Sequence, residues 1–220
     1  MRMLVASDLH GSEQAATQIR RRSLDFEVEL MVLCGDITHS GDVDGARRLL
    51  KKTCLPGVPI LFVPGNWDPP ALGEFEDFEG MFGLHGRTLK IGEICFGGIG
   101  GSNPTPFDTP FELSEESISQ TLGLISPSMR SCSRSVLVSH PPPAETSVDL
   151  TQSGLHVGSR SVREFIEKLQ PDLVLCGHIH ESKGKDMIGR SVILNPGSVL
   201  HGSLAVVEID KEIRVKLEGF

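Results

Sequence analysis

Short apolar runs recur along the chain, separated by stretches in which apolar residues return every third or fourth position. Met3–Ala6, Leu30–Cys34, Ile60–Val63, Ile94–Ile99, Val136–Val138, Leu173–Cys176 and Val192–Leu194 have the length of strands. Several are apolar throughout, the pattern of strands buried on both faces. Leu204–Ile209 and Ile213–Leu217 flank Asp210-Lys211 and predict a terminal antiparallel pair. Between the runs the period becomes helical. Ser12 is placed to cap a helix carrying Ala15, Ala16 and Ile19, and Val43, Ala46, Leu49 and Leu50 form a second stripe. The clearest helix carries Val162, Phe165, Ile166 and Leu169, with Ser161 and Glu164 spaced as a capping box and Pro171 beyond its end. Apart from Ile94–Ile99, the stretch from Phe75 to Pro127 is rich in Gly and Pro and weakly periodic, and predicts loops over a sheet edge.

The early order strand–helix–strand–helix–strand predicts an α/β layered fold. Late strands without intervening helices predict a second, more mixed sheet. No repeat or linker divides the 220 residues, so the expectation is a single domain over 1–220 with one sizeable core.

Composition changes this picture little. Hydrophobic residues make up 39% and charged residues 23%, which excludes gross disorder. Charge says more: 21 basic against 29 acidic residues give a net −8. That balance disfavours a nucleic-acid or membrane partner, whose binding surfaces are basic. An anionic substrate stays open, because bound metal reverses the local sign. The five cysteines are scattered without a CxxC pair, which predicts reduced thiols and a cytoplasmic protein. Cys34 and Cys176 sit inside apolar runs and read as small core residues. Met1–Ala6 is too short for a signal region, and no stretch approaches the roughly 18 apolar residues of a membrane span.

The candidate chemistry stands at the ends of the apolar runs. The first ends in Ser7-Asp8-Leu9-His10, the second in Cys34-Gly35-Asp36 and the third in Pro64-Gly65-Asn66-Trp67-Asp68. Later ones end in Ser139-His140-Pro141 and in Cys176-Gly177-His178-Ile179-His180. Open α/β sheets bind ligands just past the carboxyl ends of their strands. Asp8 and His10 are two apart, as are His178 and His180, so in extended backbone each pair points one way. Glycines 35, 65 and 177 are placed for sharp turns. Each piece alone has an ordinary reading, Asp8 as a helix cap and Asn66 as a turn residue. Together, Asp8, His10, Asp36, Asn66, His140, His178 and His180 offer carboxylate, imidazole and amide ligands without a thiolate. This donor set suits Mn, Fe, Zn or Ni, and seven ligands exceed what one tetrahedral ion needs. Two divalent ions bring +4 and the two carboxylates remove 2, so the centre stays positive and attracts a phosphoryl group.

In that order, Asp-x-His, Gly-Asp, Gly-Asn-x-Asp, His and Gly-His-x-His resemble the complete signature of the calcineurin-like metallophosphoesterase superfamily, over residues 8 to 180. The resemblance implies a two-sheet β-sandwich flanked by helices and two divalent ions, with Mn favoured. It implies that Asp8, His10, Asp36 and His180 hold one ion, and Asp36, Asn66, His140 and His178 the other, Asp36 bridging. Hydrolysis of a small phosphate ester by a metal-bridging hydroxide would follow, with a phosphomonoesterase, including a protein phosphatase, or a non-catalytic scaffold of the same fold as the rival readings. Asn66 would both ligate and orient, and His10 or His39 would stabilise the leaving oxygen. Many members carry His after the Asn of the third motif; this chain has Trp67, whose indole donates one hydrogen bond but transfers no proton near pH 7. Smaller members, often active on phosphodiesters, frequently lack that His, which favours a phosphodiesterase. Trp67 and His156 are the candidate substrate contacts. Asn195-Pro196-Gly197-Ser198 resembles a family feature but reads first as a turn, and His85 and His201 carry no expected role.

Overall fold

The computed structural model describes residues 1–75 and 77–220. Its first sheet grows from β1 (Arg2–Ala6), flanked on one side by β2 (Leu30–Leu33), β3 (Ile60–Phe62) and β4 (Met81–Gly83), all parallel. On the other side the terminal pair β11 (Ser203–Ile209) and β12 (Ile213–Gly219) adds antiparallel, with Val5 opposite Ala205. The second sheet runs β5 (Thr88–Ile91), β6 (Ile94–Ile99), β7 (Arg134–Ser139), β8 (Leu173–Leu175), β10 (Ser191–Asn195), β9 (Gly184–Ile188). Each sheet has six strands and is mixed. The expected second, mixed sheet is present, and the last two strands return to β1, so the first sheet is mixed as well.

The apolar runs are explained by burial on both faces. Met3 and Val5 of β1 pack between the sheets with Val32, Leu61, Phe96, Val136 and Val207. Leu4 and Ala6 point the other way, onto α1 (Glu13–Asp25) and α2 (Val43–Thr53). Leu137 and Val174 on the far sheet meet α3 (Glu115–Arg130) and α4 (Arg160–Leu169). The order through the molecule is helix, sheet, sheet, helix. Among the described residues no helix is long and apolar enough to cross a membrane.

Ser12 and Asp42 cap α1 and α2. α3 corrects the expectation of loops up to Pro127. Its stripe is Ile118, Leu122, Ile125 and Met129, and Pro127 is accommodated in its final turn. α4 begins two residues earlier than the expected capping box. Ser159 is its cap, and the carboxylate at its start is Glu115 of α3 rather than Glu164. Glu115 accepts from Ser159 Oγ (2.8 Å), Arg160 N (3.1 Å) and Ser161 N (2.8 Å). Burial raises this carboxyl, but those bonds outweigh it and hold the group below its ordinary 4.5. Glu115→Ala is expected to cost about 1–2 kcal/mol, lowering Tm by roughly 2–8 °C near neutral pH. A depressed folded pKa gives stability that is present above the unfolded value and lost as pH falls. The Tm gap between wild type and variant should therefore close below pH 4.5; a gap that persists at lower pH would show that the carboxylate is not its source.

Candidate metal centre

All five strand-end segments converge on one rim of the sandwich. Asp8 and His10 follow β1, Asp36 follows β2 and Asn66 follows β3, while His140 follows β7 and His178 and His180 follow β8. The two sheets thus contribute to one cluster. Extended alternation is not what aims these side chains. Asp8 (φ 61°), His10 (φ 45°), Asp36 (φ 50°) and His178 (φ 69°) all adopt left-handed backbone. Such residues cost on the order of 1–3 kcal/mol each and persist only where their surroundings fix them. Here adjacent loops do so: Asp8 N donates to Gly35 O (3.0 Å) and His10 N to Asp36 O (2.8 Å).

The result is two groups of potential ligands. Asp8, His10 and His180 form one, and Asp36, His140 and His178 the other, with donor atoms in each within 4.8 Å of one another. His178 and His180, expected to point together, are divided between the groups. Asp36 Oδ2 lies 3.5 Å from His10 Nε2 and 3.5 Å from His140 Nε2, so one oxygen faces both. Asp36 Oδ1 accepts from Trp67 N at 2.9 Å.

Several atoms here lack the partners that protein alone would supply. Both oxygens of the fully buried Asp8 carboxylate are without a hydrogen bond among the described residues, although His180 Nε2 lies 3.3 Å from Oδ1. His140 Nδ1 is 2.7 Å from Cys34 O, a carbonyl that only accepts, so Nδ1 carries the proton. Burial lowers the pKa of His140, so the ring is neutral and Nε2 presents a lone pair. That lone pair is 2.9 Å from Asn66 Oδ1. The amide is oriented by Thr109, whose Oγ1 gives its proton to Glu112 Oε1 (2.7 Å) and so must accept from Asn66 Nδ2 (3.1 Å). Two lone pairs at that distance suit a cation bound by both, lying to one side of the line that joins them.

The electrostatics agree. Burial, followed by the charges of Asp8 and Asp68, pushes Asp36 well above its ordinary range. Burial also raises Asp8, but His180 and His140 bring it down to about 2. Burial drives His178 to about 3 and His10 to about 4, leaving both neutral and able to ligate. For His180 the nearby Asp8 carboxylate outweighs burial and raises it. These donors fit divalent ions: neutral imidazoles, crowded carboxylates and no thiolate.

Glycine acts here mainly by close approach. A Cβ on Gly35 would stand 2.3 Å from His140 Nδ1, and one on Gly65 only 2.0 Å from Asp36 Oδ1. Of the three glycines expected to turn sharply, only Gly35 has positive φ.

The residues that brace the site were not singled out by the sequence. Buried Asp68 accepts from Ile37 N (3.0 Å), Thr38 N (2.7 Å), Thr38 Oγ1 (2.8 Å) and Gly65 N (2.8 Å), tying the Asp36 loop to the Asn66 loop. Its place in Gly-Asn-x-Asp was the available signal. Thr109 and Glu112 lie in the stretch assigned to loops and carried none. Asn195 Nδ2 donates to Ile179 O (2.9 Å), between the two histidines, and Ser198 Oγ donates to Asp8 O (3.1 Å). The segment read first as a turn therefore supports the site. His201 rests edge-on against His180, with ring centroids 5.7 Å apart.

Trp67 and His39 stack at 4.5 Å beside the first group, and His39 Nδ1 is 3.4 Å from His10 Nδ1. His156 is held elsewhere: its Nδ1 is 2.7 Å from Asp149 Oδ1, and among the described residues it makes no hydrogen bond to either ligand group. His85 is likewise occupied, bonding Gly100 N at 3.0 Å.

Comparison with known proteins follows this geometry. The model of the calcineurin-like phosphoesterase family matches residues 1–182. A Methanocaldococcus jannaschii protein, MJ1162, is 37% identical over 202 residues, covering 89% of this chain and 88% of its own. Among solved structures, TT1561 of Thermus thermophilus superposes with a TM-score of 0.79 at 17% identity, over 99% of this chain and 98% of that one. A dimetal phosphatase from Danio rerio gives 0.68 at 13% identity, over 100% and 96%. These likenesses establish a shared two-sheet architecture. The matched residues run from β1 through His180, every strand-end segment included, and the chain belongs to the calcineurin-like phosphoesterase family.

Proposed function

We propose that this protein hydrolyses small phosphodiesters at a centre of two divalent ions, manganese favoured. The observation that carries the reading is Asp36 Oδ2, 3.5 Å from the Nε2 atoms of both His10 and His140. Asp8, His10 and His180 would hold one ion, and Asn66, His140 and His178 the other, with Asp36 shared. The name of the Danio rerio neighbour, a dimetal phosphatase, supports the count of two.

A bound pair of divalent ions supplies positive charge for phosphoryl oxygens and makes water acidic enough to lose its proton near neutral pH. The chain's own residues do the positioning. Thr109 and Glu112 hold Asn66 Oδ1 toward His140, and Asp68 fixes the Asn66 and Asp36 loops relative to each other. The stacked Trp67 and His39 rings offer a flat wall to a base or aromatic leaving group. Trp67 cannot protonate a leaving oxygen, so esters with acidic leaving groups are favoured, and His39 or His10 would stabilise the oxygen as it departs. Five free cysteines and the net −8 support a cytoplasmic protein acting on small esters rather than nucleic acid.

The test is hydrolysis of bis(p-nitrophenyl) phosphate and p-nitrophenyl phosphate by chelator-stripped protein supplemented with Mn²⁺, Ni²⁺, Zn²⁺ or Mg²⁺. We expect activity only with added ion, and kcat/KM at least about tenfold higher for the diester, a difference of about 1.4 kcal/mol in transition-state stabilisation; both esters release p-nitrophenolate, so the ratio reads recognition of the phosphoryl group. Preference for the monoester would overturn the diester reading. Ion binding without turnover of either ester would favour a scaffold.

A further inference from the structure

Beside the ligand groups lies a cavity of about 280 Å³, lined by His10, Thr38 and His39 at one end and by Glu13 and the α2 residues Arg48 and Lys52 further along. Gly41 and Gly45 line it between them, without side chains to fill it. Positions 45, 48, 49 and 52 are spaced as one face of the helix, so the cavity follows α2 away from the ligands.

The four cations of α2 differ in what they already hold. Arg47 pairs with Asp44 and lies over the Phe75 ring, Lys51 pairs with Glu79 over Phe78, and Lys52 pairs with Glu13. Arg48 makes no ion pair among the described residues. Its Nη2 lies 3.5 Å from where a Gly45 Cβ would stand, so the guanidinium leans back along α2 toward the turn that follows His39. In a chain of net charge −8, a guanidinium that shares a cavity with His10 and His39 and acts on Glu13 only at a distance is locally distinctive. Its planar fork matches phosphate oxygens two at a time.

We infer that this cavity is a second anion subsite, in which Arg48 receives a further phosphate group of the substrate. The substrate class is then a phosphoester with two anionic groups, one at the proposed metal centre and one along α2. This rests on the phosphoesterase reading of the adjoining site. Gly41 and Gly45 serve it by leaving room, and Lys52, paired with Glu13, adds a weaker field. Because the subsite is open to water, its contribution falls with ionic strength.

The test compares adenosine 3′,5′-bisphosphate with adenosine 5′-monophosphate as competitive inhibitors of bis(p-nitrophenyl) phosphate hydrolysis by the manganese-loaded full chain. Wild type should bind the bisphosphate on the order of tenfold more tightly, the scale of one charge-assisted bidentate contact. That ratio should fall to about one in Arg48→Ala, survive in part in Arg48→Lys, and shrink in wild type as salt rises. A ratio near one in wild type, or a ratio that Arg48→Ala leaves intact, overturns the subsite. If the chain hydrolyses no ester, the catalytic reading fails separately. The same two nucleotides then report the subsite by their relative shift of Tm, with the same expected ratio and the same loss in Arg48→Ala.

Discussion

Asp36→Asn is expected to lower the affinity for divalent ions by more than about a hundredfold and to remove hydrolysis with it. Loss of a residue that merely orients a ligand already costs about 10–100-fold, and Asp36 would be shared by both ions. The sign of the effect on the metal-free chain is opposite. Asp36 is buried with Asp8 and Asp68 acting on it, and like charges so confined repel. The asparagine keeps an oxygen to accept from Trp67 N while removing that repulsion. The stripped variant should therefore melt no lower than stripped wild type, yet gain almost nothing from added manganese. Calorimetric titration with Mn²⁺ and parallel melting curves read both halves. A variant that binds both equivalents with unchanged affinity would remove Asp36 from the centre.

The second large effect is expected from one methyl group. In Gly65→Ala the new Cβ would sit 2.0 Å from Asp36 Oδ1 and 2.2 Å from Asp36 N. One of those atoms is backbone, so no rotamer change relieves the contact and the β2 and β3 loops must separate. Overpacking costs about 1–3 kcal/mol, and the upper end applies here, a Tm lower by roughly 6–12 °C. The comparison is Gly123→Ala, on α3, where a Cβ meets nothing within 4 Å. There, higher helix propensity should hold or raise stability by up to about 1 kcal/mol. If Gly65→Ala melts like wild type and still binds metal, close approach is not what the position requires.

Burial decided which parts of the fold could be read in advance. Strands such as Met3–Ala6, packed on both faces, announce themselves as unbroken apolar runs. The strands that were not anticipated, β4, β5 and β9, are all sheet edges; β4 is only three residues long and β5 and β9 are mostly half-buried or exposed, so no apolar run marks them. α3 was hidden by Gly123 and Pro127, although Ser114 and the spacing of Ile118, Leu122, Ile125 and Met129 spelled it out. For α4 the local pattern offered Ser161 and Glu164, and a distant carboxylate, Glu115, took the role instead. Spacing along one helix carries no trace of that.

At the site, the chemistry of the donors was legible and their geometry was not. Asp8, His10, Asp36, Asn66, His140, His178 and His180 were each visible as polar residues ending apolar runs. Period-two reasoning gave the wrong cause for their aim, because left-handed backbone at His178 sends it away from His180's group. Thr109 and Glu112 were invisible because orienting residues meet their partner only in three dimensions. Position next to a motif was the remaining clue, and Asp68 had it.

The distribution of ligands over both sheets has a mechanical consequence. Asp8, Asp36 and Asn66 extend from one sheet and His140, His178 and His180 from the other. Along the body of the sandwich the sheets adhere through apolar side chains, which slide and repack. At this rim a pair of ions would act as a rivet through two plates, fixing their separation and angle at a single point. At the far rim the described residues offer no further group of this kind, and the sheets there would be free to breathe about it.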